Sequence, residues 1–429
     1  MSVRLLGGLV LWITTLYCGP KARTGKGRSR EGSGLYPELA VLGFSEGSSP
    51  ALASRVARMT ALLPSFQTAR AELARDGVPL NIKEVRRIAL QQGFELLTTR
   101  KRDLERYRAG QLPCGKELRG KRVGVAIDGG RVRTRVVIRK KKDKRTGKKR
   151  RQKFRTEWRE PKLLIIFEMD KRGRMVRGSR PWIDGTFQGP DECFELLALH
   201  LHRLGAAAAK LVTFVSDGAP WIWDRLEWVE KRVVLKTERV VKVLDWCHAV
   251  HHVSLALEAL GLKEKERQPL YRQLRSWLKA GRAYQVTAAL SLRAAKYPSD
   301  AKVWTEIRYL EKHAQAGHMK YPQFRKRGVA IGSGAIESAV RRVVNLRLKG
   351  NGMLWEVDNA EAMLVLRAAA LTERWEEALE HSRQTLAGDR RLDWRWQSPD
   401  MPSELNSQTP ITPPTLQDQS RQSAAQTAA

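Results

Sequence analysis

The chain has 429 residues, of which 79 are Lys or Arg and 45 are Asp or Glu, so its formal net charge is +34. Because 42% of the residues are hydrophobic, wholesale disorder is excluded, and the positive excess points to nucleic acid as partner ahead of an anionic membrane surface. The four cysteines form no CxxC pair, which argues against a disulfide scaffold or a zinc ribbon and favours a reducing compartment.

Residues 1–50 are predicted to be a segment of β-structure and loops. The apolar run from Leu5 to Ile13 resembles part of a signal peptide, but it breaks at Thr14 and continues into bulky residues instead of a small-residue cleavage site. No other stretch approaches the roughly 20 apolar residues of a membrane span. We therefore expect a cytoplasmic protein that binds no membrane, with the signal peptide as the alternative.

Residues 51–115 carry the apolar periodicity of helices. A turn at Asp76-Gly77 precedes a second helix with Asn81 as its predicted N-cap. The apolar face of that helix contains Ile82, Val85, Ile88 and Ala89, and its exposed face contains Lys83, Arg86 and Arg87. This pattern is typical of a DNA-reading helix-turn-helix and also of any small helical bundle.

The segment 120–252 alternates strands with helices and predicts an α/β core. Strands are predicted at 123–128, 131–138, 163–167, 211–217 and 240–245, with an apolar helix from Cys193 to Leu204. Residues 253–325 are predicted to be a helical insertion. Residues 326–390 are predicted to complete the core with a glycine-flanked helix, and 397–429 to be a disordered tail.

A strongly basic hairpin is predicted over residues 131–159. Ten of the thirteen residues from Arg139 to Arg151 are Lys or Arg, around a Thr146-Gly147 turn signal. A solvated charge run is the usual explanation, but the apolar residues that alternate around it favour two strands that present cations to DNA phosphates. The predicted phosphate contacts of the hairpin are Lys140, Lys141, Lys142, Lys148, Lys149 and Arg150.

Three carboxylates are candidates for a metal site. Asp128 and Asp217 end two predicted strands, and Glu337 lies in the first turn of the helix for which Ser333 is the predicted N-cap. Adjacent carboxylates repel each other unless a hard cation such as Mg²⁺, or Mn²⁺ as an alternative, neutralises them. Each aspartate could instead be a turn former, and Glu337 could simply pair with Arg341 on a helix surface.

Several blocks resemble those of bacterial insertion-sequence DDE transposases of the Kra type and their Lre-type relatives. Residues 215–223 (VSDGAPWIW) resemble the DGAxWIW block, and residues 244–248 (LDWCH) resemble the D-x-x-H block. Residues 332–338 (GSGAIES) and 347–355 (RLKGNGMLW) resemble the glutamate block and its RLKxxGMxW continuation. The blocks occur in the family's order and, with similar stretches near residues 36–50, extend over most of residues 9–370.

The resemblance implies a ribonuclease-H-like mixed sheet flanked by helices, with Asp128, Asp217 and Glu337 as catalytic metal ligands. It implies a Mg²⁺-dependent, nucleoid-associated transposase that cuts transposon ends and joins their 3′-hydroxyls to target DNA, with a homodimer on double-stranded DNA as the expected assembly. Two alternatives remain open: a nuclease of the same fold, and a non-catalytic DNA-binding protein derived from a transposase.

The resemblance also implies auxiliary roles for Asp245, near the metals, and for His248, which orients the site or contacts DNA. The rival interpretation is a zinc cluster of Cys247, His248, His251 and His252, but four ligands at these spacings cannot all converge from one helix. The nearby cations predicted to bind DNA are Arg341, Arg347 and Lys349. Two further carboxylates, Asp170 and Asp184, are predicted to be turn residues.

Overall fold

The structure, a computed structural model, describes residues 1–18, 36–45, 47–138, 153–296 and 301–392. It is a mixed α/β fold, 56% helical, with a five-stranded mixed sheet flanked by helices. The α/β class predicted from the sequence is therefore confirmed. Over the described ranges, no helix is both long enough and apolar enough to cross a membrane.

The elements follow one another in the order that the sequence patterns predict, with two additions. The strands are β1 (Ser2–Arg4), β2 (Val10–Trp12), β3 (Arg122–Gly129), β4 (Val132–Val137), β5 (Phe154–Arg159), β6 (Lys162–Glu168), β7 (Trp182–Thr186), β8 (Leu211–Ser216) and β9 (Val240–Leu244). The first eight helices are α1 (Pro37–Val41), α2 (Pro50–Leu62), α3 (Phe66–Arg75), α4 (Ile82–Arg108), α5 (Pro190–Leu204), α6 (Pro220–Val233), α7 (Trp246–Ala259) and α8 (Glu264–Lys279). The remaining helices are α9 (Ala283–Ala294), α10 (Ala301–Gln315), α11 (Tyr321–Lys326), α12 (Gly334–Ala339), α13 (Leu346–Leu348), α14 (Val357–Leu371) and α15 (Trp375–Leu392). Strand β7 and helix α6 are the additions, and helix α1 lies in the segment 1–50, where the prediction of β-structure and loops alone is wrong.

The central sheet has the strand order β7-β6-β3-β8-β9. Neighbouring strands β7, β6 and β3 are antiparallel, whereas β8 and β9 run parallel to β3. Both faces of β3 and β6 are buried, because Val125 and Ile166 pack on one helical layer while Ala126 and Ile165 pack on the other. This double burial explains why these strands are continuous apolar runs.

The helices of the predicted DNA-binding region pack directly against the sheet's own core. Helices α2 and α4 share one hydrophobic cluster with β6, α12 and α14. The predicted N-cap is confirmed, since Asn81 and Glu84 form a reciprocal capping box at the start of α4. Val85 and Ile88 are buried as the periodicity predicts, whereas Ile82 is 43% exposed because it lies at the helix end.

The helical insertion lies between β9 and the glutamate helix α12. Helices α8 to α11 pack with α7 around a cluster that includes Leu244, Leu278, Ile307 and Tyr321. The Tyr321 hydroxyl donates to the Leu244 carbonyl oxygen at 3.1 Å, and the Leu244 N–H donates to the His318 carbonyl oxygen at 3.0 Å. The insertion is therefore attached to the carboxyl end of β9.

Strands β4 and β5 form an antiparallel hairpin, as predicted, in a small sheet of their own. The six predicted phosphate contacts lie outside the described residues, as does the tail 397–429. The base of the hairpin is attached to the core, because the Arg135 N–H donates to the Trp355 carbonyl oxygen at 2.8 Å.

Candidate active site

Asp128 and Asp217 lie side by side at the carboxyl edge of the sheet. The parallel ladder between β3 and β8 pairs Ala126 with Val215. Asp128 lies two residues after Ala126, and Asp217 lies two residues after Val215. Neighbouring strands are about 4.8 Å apart, so the two aspartates occupy adjacent positions at this edge. The Ser216 hydroxyl donates to the Ile127 carbonyl oxygen at 3.1 Å and joins the two strand ends.

Glu337 reaches the site from the first turn of α12. The hydroxyl of Ser333 donates to Oε1 of Glu337 at 2.7 Å. The prediction of Ser333 as the N-cap residue is confirmed, although its side chain accepts no helix N–H. Its hydroxyl instead holds the glutamate.

Directly after α12 the chain forms a π-helix from Val340 to Asn345. The guanidinium of the buried Arg367 donates to the Val343 carbonyl oxygen at 2.9 Å and also to the Arg342 carbonyl oxygen. These bonds support a helix geometry that is rare and that often occurs at functional sites.

Asp245 holds the site together from the N-cap of α7. It is 1% exposed. Its Oδ1 accepts one hydrogen bond from the backbone N–H of His248 at 2.7 Å and another from the ring Nδ1 of His248 at 2.9 Å. Its Oδ2 accepts the N–H of Ser333 at 2.6 Å. Burial alone would raise the pKa of Asp245, but these hydrogen bonds lower it below its ordinary value. An ionised Asp245 therefore links α7 to the residue that holds Glu337.

The predicted site residues share one electrostatic environment. Burial raises the pKa of Asp128 to about 6; the charges of Asp217 and Glu337 add to this rise, while His248 and the Gly129 N–H oppose it. The hydrogen bond to Asp245 raises the pKa of His248, with further contributions from the charges of Asp245, Asp217 and Asp128. The structure thus brings together the five residues that the sequence placed in the catalytic and auxiliary sets.

The oxygen donors of this edge are chemically suited to a hard cation such as Mg²⁺ or Mn²⁺. Asp128 uses Oδ1 to accept the Gly129 N–H at 2.7 Å, and Asp217 uses Oδ1 to accept the Ala219 N–H at 3.1 Å. These bonds, and that from Ser333 to Glu337, each engage one oxygen of a carboxylate. As they are placed, however, no three His, Cys, Asp or Glu side chains of the described residues stand close enough together to form a ready-made metal site, so metal binding at this edge is a proposal that rests on the chemistry of its oxygen donors.

The rival zinc cluster has its histidines directed to different partners. His248 bonds to Asp245, whereas His252 forms an ion pair with Glu306 and stacks on Tyr309 with ring centroids 3.7 Å apart. His252 thus joins α7 to the helical insertion.

Aromatic residues close one side of the edge. The Trp223 indole donates to the Asp217 carbonyl oxygen and stacks on His318 of the insertion, with centroids 4.2 Å apart. The Tyr309 ring covers Gly218 so closely that a Cβ there would lie 2.1 Å from it. A glycine directly after the catalytic candidate Asp217 is therefore a packing requirement, which the sequence alone did not reveal.

Asp184 is not a turn residue, so that prediction is wrong. It lies buried in β7, where it pairs with Arg100 at 2.9 Å and with His200 at 2.8 Å. Arg100 also contacts Glu361 at 2.6 Å. Burial would raise the pKa of Asp184, but Arg100 and His200 lower it to about 2. Asp170, in contrast, is a turn residue as predicted, since it accepts the N–H groups of the turn that follows it.

The predicted DNA-binding cations near α12 occupy different environments. Arg341 and Lys349 are exposed. Arg347 is 1% exposed and lies near the rings of Phe66 and Trp355, at 4.8 and 5.1 Å from their centroids. Any contact of Arg347 with DNA would therefore take place inside a pocket and not on an open surface.

Comparison of the chain with protein-family models found no match, and comparison with curated proteins found no significant similarity.

Proposed function

We propose that the protein is a DDE transposase with a ribonuclease-H-like core, of the Kra and Lre type that its sequence blocks resemble. The observation that carries the proposal is that Asp128, Asp217 and Glu337, which come from three distant parts of the chain, lie near enough at one edge of a mixed sheet for the charges of Asp217 and Glu337 to act on Asp128. The antiparallel order β7-β6-β3, followed by the parallel strands β8 and β9, supports the ribonuclease-H-like assignment.

Asp128, Asp217 and Glu337 are the residues that would hold Mg²⁺ or Mn²⁺. When bound, such ions would activate a water or a DNA 3′-hydroxyl as nucleophile and would stabilise the charge of in-line phosphoryl transfer. Ser333 positions Glu337 by its hydrogen bond, and Asp245 positions Ser333. The cationic form of His248, favoured by Asp245, offsets negative charge beside Asp128.

The substrate is double-stranded DNA, both the transposon ends and the target. The net charge of +34 supplies phosphate affinity without sequence choice, and the base of the basic hairpin is anchored to the core through Arg135 and Trp355. The expected assembly is a homodimer on DNA in the bacterial cytoplasm. Strand joining distinguishes this activity from that of a nuclease of the same fold, and cleavage distinguishes it from a non-catalytic DNA-binding protein.

The test replaces the three carboxylates one at a time by their amides: Asp128→Asn, Asp217→Asn and Glu337→Gln. Each variant should lose Mg²⁺-dependent nicking of a transposon-end duplex while it still binds that duplex, because the amide keeps the shape of the side chain and removes the metal-binding charge.

Asp170→Asn is the matched control, because this carboxylate follows β6 at the opposite edge of the sheet. It should nick DNA as the wild type does. Near wild-type nicking by any of the three test variants would remove that residue from the site, and the absence of nicking by the wild-type protein would refute the proposed activity.

A further inference from the structure

A pocket of about 350 Å³ lies between the amino-terminal ends of α3 and α4 and the loop that precedes α14. Phe66, Arg86, Arg135, Arg347 and Trp355 are among the residues that line it. It is separate from the carboxylate edge, although Arg347 follows Glu337 along the chain through the π-helix.

Three residues that line this pocket each carry a buried hydrogen-bond donor that has no acceptor within the described residues. The donors are Nε of Arg135, Nη2 of Arg347 and Nε1 of Trp355. Arg347 and Trp355 are 1% and 7% exposed, so solvent does not readily satisfy these donors. Buried polar groups in native proteins nearly always have a partner, and three orphaned donors in one pocket indicate that an acceptor binds there.

The charge of the lining indicates that this acceptor is an anion. The lining contains three arginines, Arg86, Arg135 and Arg347, and one carboxylate, Glu356. Glu356 already pairs with Arg135 at 2.9 Å. Burial, with the nearby Arg367, lowers the pKa of Arg347 to about 10, so its cation is held at an energetic cost that an anion would reduce. Water would satisfy the donors without balancing this charge, whereas a phosphate oxygen does both.

The position of the pocket identifies the source of the phosphate. The backbone N–H of Arg135 donates to the Trp355 carbonyl oxygen at 2.8 Å, and the backbone N–H of Trp355 donates to the Arg133 carbonyl oxygen at 3.2 Å. The pocket therefore lies at the base of the basic hairpin. Arg86 reaches it from the first turns of α4, in the region with helix-turn-helix character. We propose that this pocket binds one backbone phosphate of the DNA. The choice of DNA as the phosphate's source rests on the proposed function.

The test is Trp355→Phe, which removes one donor, keeps an aromatic ring beside Arg347 and changes no charge. Affinity for a fluorescent DNA duplex of random sequence is measured by anisotropy in EDTA, so that no cleavage occurs. The variant should bind about tenfold more weakly, as expected for a lost hydrogen bond to a charged acceptor. Because Trp355 belongs to the hydrophobic core, the smaller ring should lower the melting temperature, so binding is measured well below the unfolding transition of both proteins.

Arg86→Gln provides a second variant that does not depend on the buried rings. It should weaken binding and lower the slope of log affinity against log salt by about 0.9, the value for one lost phosphate contact. The matched controls are Trp228→Phe, an exposed indole on α6, and Arg172→Gln, an exposed cation in the turn after β6. Both should bind DNA as the wild type does.

If both Trp355→Phe and Arg86→Gln bind DNA with wild-type affinity, the proposal that the pocket binds a DNA phosphate is wrong and ordered water occupies the pocket. The proposed function is not affected by that result. Weakened binding by these variants, in a protein that never nicks DNA, would support the pocket and refute the transposase. Failure of the wild type to bind the duplex would overturn both.

Discussion

Replacement of Asp245 by Asn tests whether this residue holds the candidate site together. The carboxylate accepts three hydrogen bonds, and an amide that keeps its oxygen toward His248 turns its NH₂ group toward the N–H of Ser333. One hydrogen bond to a charged acceptor, worth about 1.5–3 kcal/mol, is then lost and a buried donor is left unsatisfied at a further cost of about 1–3 kcal/mol. We expect Asp245→Asn to lower the free energy of unfolding by about 3 kcal/mol.

The same change should displace Ser333 and with it the hydroxyl that holds Glu337. Metal-dependent nicking should fall by about 10- to 100-fold, the usual effect of losing a partner that orients a metal ligand. The measurements are urea unfolding without metal and nicking at saturating Mg²⁺. Asp170→Asn is the matched control, because this carboxylate also accepts backbone N–H groups but lies in an exposed turn.

The reasoning is refuted if Asp245→Asn unfolds within about 0.5 kcal/mol of the wild type, the range of a neutral surface change. Loss of stability with full nicking would leave Asp245 as a structural residue with no positioning role.

Two further predictions concern the charges buried beside the sheet. Arg100→Met should destabilise the protein by about 3–5 kcal/mol in urea unfolding, because it leaves Asp184 and Glu361 buried without their cation. The pKa of Asp184 is lowered to about 2 in the folded protein, so the wild type should lose the stability that this carboxylate contributes as the pH falls from about 4 to 2. A destabilisation by Arg100→Met that persists at pH 2 would contradict the pairing of Arg100 with Asp184. Asp128→Asn should stabilise the metal-free protein at pH 7, because burial raises the pKa of Asp128 to about 6 and its ionised form opposes folding above that pH. The expected gain in the free energy of unfolding, after allowance for solvent screening, is about 1–2 kcal/mol. This gain should disappear between about pH 6 and 4, where the folded state binds the proton, and an equal gain in melting temperature at pH 7 and pH 4 would contradict the charge argument.

Local patterns were sufficient wherever one short segment carried the whole signal. The apolar runs of β3, β6 and β8 are visible in the sequence because strands buried on both faces contain little else than apolar residues. The edge strand β9 is visible as a shorter apolar run, although Lys242 lies on its partly exposed face. Asn81 identifies the start of α4, since an N-cap acts on helix N–H groups within three residues of it, and the structure adds Glu84 as its reciprocal partner. Asp128, Asp217 and Glu337 were selected by their places after strands and a glycine-flanked turn, and that selection is the part of the site that needed no tertiary structure.

Only the tertiary structure decided which distant groups meet. The sequence predicts a turn residue at Asp184, which precedes a glycine, and nothing near it in the sequence indicates its pairing with Arg100 on another element. The sequence treated Arg347 as one more DNA-binding cation, whereas packing between Phe66 and Trp355 buries it in a pocket. The link from Asp245 through Ser333 to Glu337 joins two helix starts separated by the whole helical insertion. Such pairings leave no periodic or short-range trace, because a hydrogen bond depends on where the chain returns in space and not on the residues beside it.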